Sequence, residues 1–473
     1  MTITTEEDNN DFSNENQTTD YTSLEGLRTR LGIDNDRLFG NFIVKELIDN
    51  ALDFIEKNAK KFQELKQNKD KNPYVNVTIT EEEIENKKVN KIIVRNSIID
   101  NDIFPKNVIK SIFNLEKYYS SKRHQHIIKR GALGDGLKEM LCIPYAFAIE
   151  TNDDYSWNYP LIFNISNKRL IEVRIVNLSQ VRKNLESPSI TIMPKELSIE
   201  EDQTNNKFTE IVVYLPNVAV DYDKIKSLLY RYIILNTHID FHFELPNNSY
   251  YKPTYKATQN ITEWSNYQSI YHYSLQDFER LIYSLQDRSN SNIANYVQKY
   301  FREGTNIKKD ELLDILNSKN NPITNKNNNN NKNIEGIYHR LKQIPAKGPQ
   351  SDNKRQVPFD LKLRENALKK RLGKIYQIED DSFVYKKING YYYGPNNNNE
   401  IEFPYILEII IANIPNTHKK LYFYPSINFS PTLRYNPFEN RSDEDIFSWK
   451  NKKKNNSQTK VGSSIIDILY HLS

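Results

Sequence analysis

The sequence contains one cysteine, Cys142, in 473 residues. A single thiol cannot form an internal disulfide, so nothing indicates an oxidising compartment. The chain has no run of about 18 apolar residues, which excludes a membrane-spanning helix. Its charges almost cancel, because 65 basic and 61 acidic residues leave a net charge of +4, too small to indicate a nucleic-acid partner by itself. We therefore expect an intracellular protein without a membrane partner.

The composition is that of a polar globular chain with many aromatic residues. Hydrophobic residues make up 38% and charged residues 27%, and 31 tyrosines and 21 phenylalanines supply much of the volume for a core. The length is sufficient for two or three domains. Residues 1–20 are acidic and polar without the apolar segment of a signal peptide, so we expect a disordered tail there. The asparagine-rich stretch 317–334 is expected to be a linker.

Hydrophobic periodicity predicts both helices and strands. One long amphipathic helix is expected over 36–66, followed by a β-hairpin formed by 74–80 and 91–96. Several strands after a few helices indicate a mixed sheet with helices packed on one face. Ser274 is a good N-cap for a later helix. Further helices are predicted at 105–116, 221–235, 274–282, 293–301, 307–316, 364–375 and 463–472, and further strands at 145–151, 161–165, 169–176, 189–193, 208–215, 238–245, 402–414 and 421–424.

The stretch from Val44 to Asp53 carries polar groups beside the apolar face of the first predicted helix. Glu46 and Asn50 lie four residues apart next to that face, and Asp53 follows one turn later. A buried carboxylate needs partners, because leaving it unpaired is costly. One interpretation is that these groups extend to solvent or cap local backbone. The other, with about equal weight, is a metal–nucleotide site in which the acid and the amide hold a water and a magnesium ion side by side.

Three glycines in six residues, Gly131, Gly134 and Gly136, precede apolar residues at helix spacing. Such a loop can turn backbone N–H groups toward an anion, and the N-terminus of the helix adds positive potential. The alternative is a flexible connection with a C-cap glycine. The spacing matches neither the Walker A pattern nor a dinucleotide-binding fingerprint, because no Gly-Lys-Ser/Thr follows and no strand runs directly into the loop.

His238 and His242 are four residues apart in the strand predicted over 238–245. On a strand both side chains would face the same side as Asp240. Two histidines with an acid could ligate a metal. We favour surface or cross-strand packing over metal ligation by about four to one.

Three of these stretches occur in a fixed order: Glu46-Leu-Ile-Asp-Asn50, a strand that ends near Asn96, and Gly131-x-x-Gly134-x-Gly136. This order resembles the Bergerat (GHKL) ATP-binding fold shared by gyrase, the large heat-shock chaperones, histidine kinases and MutL. Within that group the chain is most similar to the ATP-binding subunit of DNA topoisomerase VI, a type IIB topoisomerase. The further likenesses are the loop Ser120-Ser121-Lys122, the strand at 207–216 that contains Thr209, and Asn236-Thr237-His238.

The resemblance implies a role for each of these residues. Glu46 would be the general base, and Asn50 would ligate magnesium (Mg2+) and, through it, the phosphates of ATP. Asp53 belongs to the same nucleotide-binding helix, and Thr209 would lie behind the adenine. Phosphoryl transfer to water needs positioning and charge neutralisation more than covalent help, which suits these residue types. The serine–lysine element and the glycine-rich lid, with Lys122 or Lys138 neutralising charge, would supply the remaining nucleotide-binding residues: Ser121, Lys122, Gly131, Ala132, Leu133, Gly134, Gly136, Leu137 and Lys138.

The sequence departs from the family pattern at the end of the second strand of the hairpin. The family has an aspartate there, in a D-x-G motif, that reads the adenine amino group. Asn96 occupies the corresponding position, and no glycine follows. An asparagine carbonyl still accepts a hydrogen bond from that amino group, though more weakly than a carboxylate. Asp100 or Asp102 could serve instead if the loop shifts.

The resemblance covers residues 36–245 well and the rest loosely. It implies an α+β chain: a Bergerat-type α/β sandwich over 21–245, a helical and irregular segment over 246–380, and a transducer-like α/β module over 381–473, in which 402–414 and 421–433 supply strands. A transducer module normally contributes a lysine that reaches the γ-phosphate. The candidates are Lys450, Lys452, Lys453, Lys454 and Lys460.

The expected activity is ATP hydrolysis that drives lid closure and homodimerisation, coupled to DNA strand passage or remodelling with a separate cleavage subunit. The alternatives are an ATP-gated clamp similar to heat-shock chaperones or MORC proteins, without a topoisomerase role, and a nucleotide binder that has lost turnover. The expected location is the cytoplasm, with the nucleoid as a second site. The basic run 362–374 could contact phosphates, but a solvated surface is favoured by about two to one.

Overall fold

The structure is a computed structural model of the chain. It describes residues 21, 23–69, 71–84, 86–99, 106–115, 130, 135–150, 160–166, 168–176, 189–196, 207–246, 254–261, 268–285, 289–317, 334–344, 365–376, 378, 383–393, 402–412, 426–427, 430–431, 433 and 465–472.

Runs of helices and runs of strands follow one another along these residues. The helices are α1 Leu24–Leu31, α2 Phe39–Lys57, α3 Ala59–Lys69, α4 Lys106–Ile112, α5 Gly136–Glu150, α6 Tyr222–Leu235, α7 Leu275–Tyr283, α8 Asn290–Tyr300, α9 Lys309–Asn317, α10 Ile334–Lys342 and α11 Glu365–Tyr376. The strands are β1 Tyr74–Ile84, β2 Lys87–Ser97, β3 Leu161–Ile165, β4 Arg169–Ile175, β5 Ile190–Glu196, β6 Phe208–Pro216, β7 Asp240–Glu244, β8 Thr254–Tyr255, β9 Phe383–Tyr393, β10 Glu402–Ala412, β11 Ser426–Ile427, β12 Ser430–Pro431 and β13 Ile465–Leu472.

An eight-stranded mixed sheet forms the centre of the N-terminal half, in the order β5-β4-β3-β6-β2-β1-β7-β8. Strands β1 and β2 pair as the predicted antiparallel hairpin. Strand β7 joins β1 in parallel, and the other neighbours are antiparallel. The predicted α/β architecture, a mixed sheet with helices on one face, is confirmed.

Alternating side chains decide which face of the sheet the helices cover. On β1, Val75, Val77 and Ile79 are fully buried, whereas the residues between them are half-buried. Because successive side chains of a strand point to opposite faces, this pattern gives one apolar face. Helices α2, α5 and α6 pack on that face, and the buried residues of all these elements form one core.

The predicted helix over 36–66 is wrong in one respect, because it breaks at Asn58. A 3-10 turn at Asp36–Leu38 leads into α2, which ends at Lys57, and α3 begins at Ala59. The side-chain amide of Asn58 donates to the carbonyl of Phe54 (2.9 Å). This bond competes with helix continuation, as asparagine side chains commonly do.

Two segments have the opposite secondary structure from the prediction. Residues 145–151 were expected to form a strand, but the helix α5 continues through Pro144 to Glu150. Every side chain from Lys138 to Ala148 is buried, so the segment has no polar face from which its period could be read. The expected helix over 463–472 is instead the strand β13, which pairs antiparallel with β10. Its eight residues are a typical strand length.

A second core lies in the helical segment formed by α7 to α10. Its first helix begins as its cap predicts, because the hydroxyl of Ser274 accepts from the backbone N–H of Asp277. The helix predicted from 293 begins earlier, at Asn290, where Ser289 supplies a cap that was not predicted. A third core joins the end of α6 to α11 and to the sheet β13-β10-β9, through Leu235, Leu368, Ile410 and their neighbours. The predicted boundaries at 20, 245 and 380 stay predictions.

Several expectations fall outside the described residues. They concern the tail 1–20, most of the linker 317–334, the strand 421–424, and the candidate lysines Lys450, Lys452, Lys453, Lys454 and Lys460. Within the described part of the chain, none of the helices is long and apolar enough to cross a membrane.

Gly304 is required by the close approach of its turn to α8. A Cβ added to Gly304 would lie 2.3 Å from the carbonyl oxygen of Val297, a backbone atom that cannot move aside easily. We expect Gly304→Ala to lower the free energy of unfolding of this helical segment by about 1–3 kcal/mol, measured by thermal melts and by protection of 270–344 in hydrogen exchange. The matched control is Gly336→Ala within α10, where alanine has the higher helix propensity. Equal melting of the two variants would contradict this packing.

Candidate functional site

Helix α2 carries two sets of polar side chains that differ in burial. Glu46 is half-buried, Asn50 is exposed and Asp53 is half-buried. Asp49 and Glu56, which the sequence did not single out, are the buried acids, with 2% and 3% of their surface exposed. The helix therefore directs one pair of carboxylates into the interior and keeps the predicted set at its edge.

Glu46 lies against the first residue of helix α5. A Cβ added to Gly136 would come within 2.5 Å of Oε2 of Glu46 and within 3.3 Å of its Cγ. A side chain at position 136 would force the Glu46 carboxylate to move, so glycine lets this acid lie against the start of α5. The structure thus brings together the predicted acid and the last glycine of the motif, although these residues are 90 positions apart in the sequence.

Lys45 links Glu46 to the buried acid Asp49. Its ammonium lies 3.2 Å from Oε1 of Glu46 and 2.8 Å from Oδ2 of Asp49. Burial opposes the charge on Lys45, but the two carboxylates outweigh it and raise the pKa of the lysine well above its ordinary value. Lys45 is therefore a permanent cation that holds both acids.

Arg130, directly before Gly131, is buried among acids of α2. Its guanidinium donates to both oxygens of Glu56 (2.5 and 3.1 Å), lies 3.5 Å from Oδ1 of Asp53, and donates to Oδ1 of Asn236 at 2.9 Å. His238 Nε2 lies 3.0 Å from Oε1 of Glu56. Burial disfavours the charge on Glu56, but Arg130 and His238 outweigh it, so the pKa of Glu56 lies below its ordinary value. These contacts fix the start of the glycine-rich segment to α2.

The N-terminus of α5 holds a second charged cluster. Arg30 of helix α1 lies 3.2 Å from Oδ2 of Asp135 and 3.5 Å from Oε1 of Glu139. The ammonium of Lys138, one of the lysines expected to neutralise phosphate charge, is buried 3.6 Å from Asp135. Burial raises the pKa of Glu139 to about 7; Arg30 opposes this shift, and the carboxylates of Asp135 and Glu46 add to it. The charge on Glu46 thus contributes to the raised pKa of Glu139.

Asn96 and Thr209 face each other across β2 and β6. They lie on the apolar face of the sheet, in line with Val75 of β1 and Ile165 of β3, and both are at least nine-tenths buried. The amide nitrogen of Asn96 donates to the carbonyl of Ser97 (3.0 Å), which leaves its carboxamide oxygen to accept a hydrogen bond. Among the described residues, none hydrogen-bonds to the buried hydroxyl of Thr209. An unpaired buried hydroxyl costs about 1–3 kcal/mol, so this pair is a candidate for ligand contact.

The remaining predicted residues divide into three groups. Leu137 packs against the main core. Asn50 makes no side-chain hydrogen bond to any described residue and faces solvent on α2. Ser121, Lys122, Gly131, Ala132, Leu133 and Gly134, together with the alternative adenine readers Asp100 and Asp102, lie outside the described residues.

The two histidines do not share a strand face as predicted. Strand β7 begins at Asp240, so His238 precedes it and reaches Glu56, whereas His242 bonds to the hydroxyl of Thr254 (3.1 Å). Within the part of the chain that the structure describes, no group of three histidine, cysteine or acidic residues could hold a metal ion. Packing is therefore the role that the contacts of both histidines support.

Comparison with known proteins gives only distant likenesses. No family model and no curated protein matches the chain. Among solved structures, the N-terminal domain of a DNA repair protein aligns over 92% of this chain and 86% of its own, with 10% identity and a TM-score of 0.33. The ATPase domain of Aquifex aeolicus MutL complexed with ADP aligns over 91% and 90%, with 10% identity and a TM-score of 0.29. At these scores neither likeness bears on what this chain does.

The raised pKa of Glu139 predicts a pH dependence of stability. The folded state binds this proton more tightly than the unfolded state, so the free energy of unfolding should fall as pH rises from about 4.5 to about 7 and stay low above it. Glu139→Gln removes the buried charge and should melt higher than the wild type at pH 8, with a flatter profile between pH 5 and 8. Glu150→Gln, at the exposed end of α5, is the control. A lower melting temperature for Glu139→Gln at pH 8 would contradict this assignment.

Proposed function

We propose that the chain is a Bergerat-type ATPase that binds ATP with magnesium between α2, the N-terminus of α5 and the β2–β6 pair, with Glu46 as the general base. The observation that carries this proposal is the contact between the Glu46 carboxylate and the Gly136 backbone. It joins an acid to a glycine-bordered helix N-terminus, where backbone N–H groups favour phosphate.

The polar pair on the sheet supports an adenine pocket. The carboxamide oxygen of Asn96 is an acceptor suited to the exocyclic amine of adenine, and the hydroxyl of Thr209 would gain the partner that it lacks among the described residues. Flanking residues Val75 and Ile165 supply apolar walls. Binding pockets commonly combine apolar walls with a few placed polar groups.

The donor set also suits magnesium. This ion is commonly held by one or two protein oxygens, with phosphates and water completing its shell. Asn50 offers a solvent-facing carboxamide oxygen one turn from Glu46. When bound, magnesium neutralises phosphate charge.

The protein groups would act on the attacking water. Glu46 accepts a proton from that water, which raises the nucleophilicity of the water, and Lys45, 3.2 Å away, orients the carboxylate. Arg130, directly before Gly131, is held against α2 by its ion pair with Glu56. These roles are positional and electrostatic, which suits phosphoryl transfer, since positioning and electrostatics dominate its catalysis.

The downstream task rests on the sequence resemblance to the ATP-binding subunit of topoisomerase VI. We infer nucleotide-dependent homodimerisation and a DNA transaction with a separate cleavage subunit. DNA-stimulated ATP turnover, together with co-purification of a metal-dependent cleavage protein, would support this role. Turnover that neither DNA nor a partner alters would instead support an ATP-gated clamp.

Glu46→Gln should retain binding and lose turnover. The amide keeps the size of the side chain but cannot accept the proton, so we expect the ATPase rate to fall about 100-fold or more. The thermal shift caused by ATP with magnesium should persist. Glu64→Gln on the exposed side of α3 is the matched control and should behave as the wild type. If ATP with magnesium causes no thermal shift in the wild-type chain and the chain does not hydrolyse ATP, the proposal is contradicted.

Thr209→Val separates a ligand role from a structural role. The buried hydroxyl has no hydrogen-bond partner among the described residues, so its replacement by a methyl group should raise the stability of the ligand-free protein by about 1 kcal/mol. The same change should weaken ATP binding about 5- to 30-fold, because a contact to the nucleotide is lost. Thr78→Val, on the opposite face of β1, is the control for both measurements. Unchanged ATP affinity in Thr209→Val would remove this residue from the pocket.

A further inference from the structure

The carboxylate of Asp49 accepts hydrogen bonds from several elements that pack around α2. Its Oδ1 accepts from the hydroxyl of Tyr232 at 2.7 Å, and its Oδ2 accepts from Lys45 at 2.8 Å and from the hydroxyl of Ser430 at 2.7 Å. Arg130 Nε lies 3.7 Å from Oδ1. The carboxylate, 2% exposed, is therefore surrounded by donors from four separate parts of the chain.

Ser430 is the most distant of these donors in sequence. It lies on β12, which pairs antiparallel with β11, and these two strands are here named the C-terminal hairpin (residues 426–427 and 430–431). This hairpin contacts α2 and α6 on one side and β13 of the C-terminal sheet on the other. Ser430 is 8% exposed, and the described contacts of its hydroxyl are to Asp49 and Tyr232.

A continuous chain of charge-assisted contacts runs from this hairpin to the proposed base. The steps are Ser430 Oγ to Asp49 (2.7 Å), Asp49 to Lys45 Nζ (2.8 Å), and Lys45 Nζ to Oε1 of Glu46 (3.2 Å). Hydrogen bonds to ionised groups are among the strongest in proteins and fix direction as well as distance. Lys45 divides its ammonium between the two carboxylates, so the position of Asp49 affects where Lys45 holds Glu46.

We propose that Ser430 is a positioning residue: by fixing Asp49 it sets, through Lys45, the orientation of the Glu46 carboxylate. The C-terminal sheet is thereby coupled to the proposed hydrolytic centre by a hydroxyl that does not itself touch the nucleotide. A displacement of the C-terminal hairpin from α2 removes one of the donors to Asp49 and loosens Glu46. This inference rests on the proposed ATPase function.

Ser430→Val and Ser430→Thr form the test pair, because the two side chains have the same shape and only threonine keeps the hydroxyl. We expect Ser430→Val to lower kcat about 5- to 20-fold, with the KM for ATP within about threefold of the wild type. Ser430→Thr should recover most of kcat. Ser426→Ala, a buried serine in the same hairpin that has no contact with Asp49 among the described residues, should keep the wild-type kcat.

A second readout does not need turnover. Hydrogen exchange of the backbone amides of 45–50, without nucleotide, should be faster in Ser430→Val than in Ser430→Thr and Ser426→Ala, because Asp49 has lost an anchor. Wild-type kcat and exchange in Ser430→Val would overturn the inference while leaving the ATPase proposal intact. Equal losses in Ser430→Val and Ser430→Thr would also overturn it, since they indicate a packing effect. A wild-type protein without ATP turnover would contradict the proposed function, and the exchange comparison would still decide whether Ser430 fixes this segment.

Discussion

The structure depends on the neutralisation of acids that helix α2 carries into the interior. Removing an ion from water costs several kcal/mol, about as much as the whole stability of many domains, unless close partners compensate. Asp49 and Glu56 are almost completely buried, and their compensation comes from Lys45 on the same helix and from Arg130. If one partner of such a buried pair is removed, the loss is about 3–5 kcal/mol. The position of Arg130 is therefore tied to the folding of α2.

This constraint lets α2 serve both the core and, in the proposed function, a chemical site. Its apolar side, including Ile43, Leu47 and Ile48, is covered by the sheet and its neighbours. The acids that lie just beyond this side reach α6, the C-terminal hairpin and Arg130, so the helix is fixed on several sides. Glu46, at the edge, is thereby held against Gly136 by a rigid element instead of a loop. A carboxylate that must act at one position benefits from such support.

Local signals predicted the elements that have a clear period or cap. The β1–β2 hairpin follows from alternation, and helix α7 with its Ser274 cap follows from capping chemistry. The apolar segment 145–151 gave no period, and its strand assignment failed for that reason. Asp49 and Glu56 were missed because, apart from Lys45 four residues before Asp49, the partners that decide their burial are remote: Arg130 lies 74 residues from Glu56, and Ser430 lies 381 residues from Asp49. No local pattern contains information on such pairs. The order of Glu46, Asn96 and Gly136 could be read from the sequence, whereas the buried network that holds Glu46 could not.

The Asn96–Thr209 pair on the sheet is a second place where local sequence rules do not explain the residues present. Residues that follow along the same face, Ile211, Val213 and Val94, are apolar, and a valine in place of Thr209 would fit this pattern without an unpaired hydroxyl. Among the described residues, the hydroxyl of Thr209 has no hydrogen-bond partner, and burying it in this way lowers the stability of the fold. The side-chain amide of the neighbouring Asn96 donates to the backbone carbonyl of Ser97. Strands disfavour asparagine, and although they favour threonine, a fully buried position without a hydrogen-bond partner favours valine. Departures from those rules are expected where a site needs polar groups in an apolar wall, because the ligand then supplies the missing hydrogen bonds. The stability lost at this pair is thus consistent with its use as a binding surface.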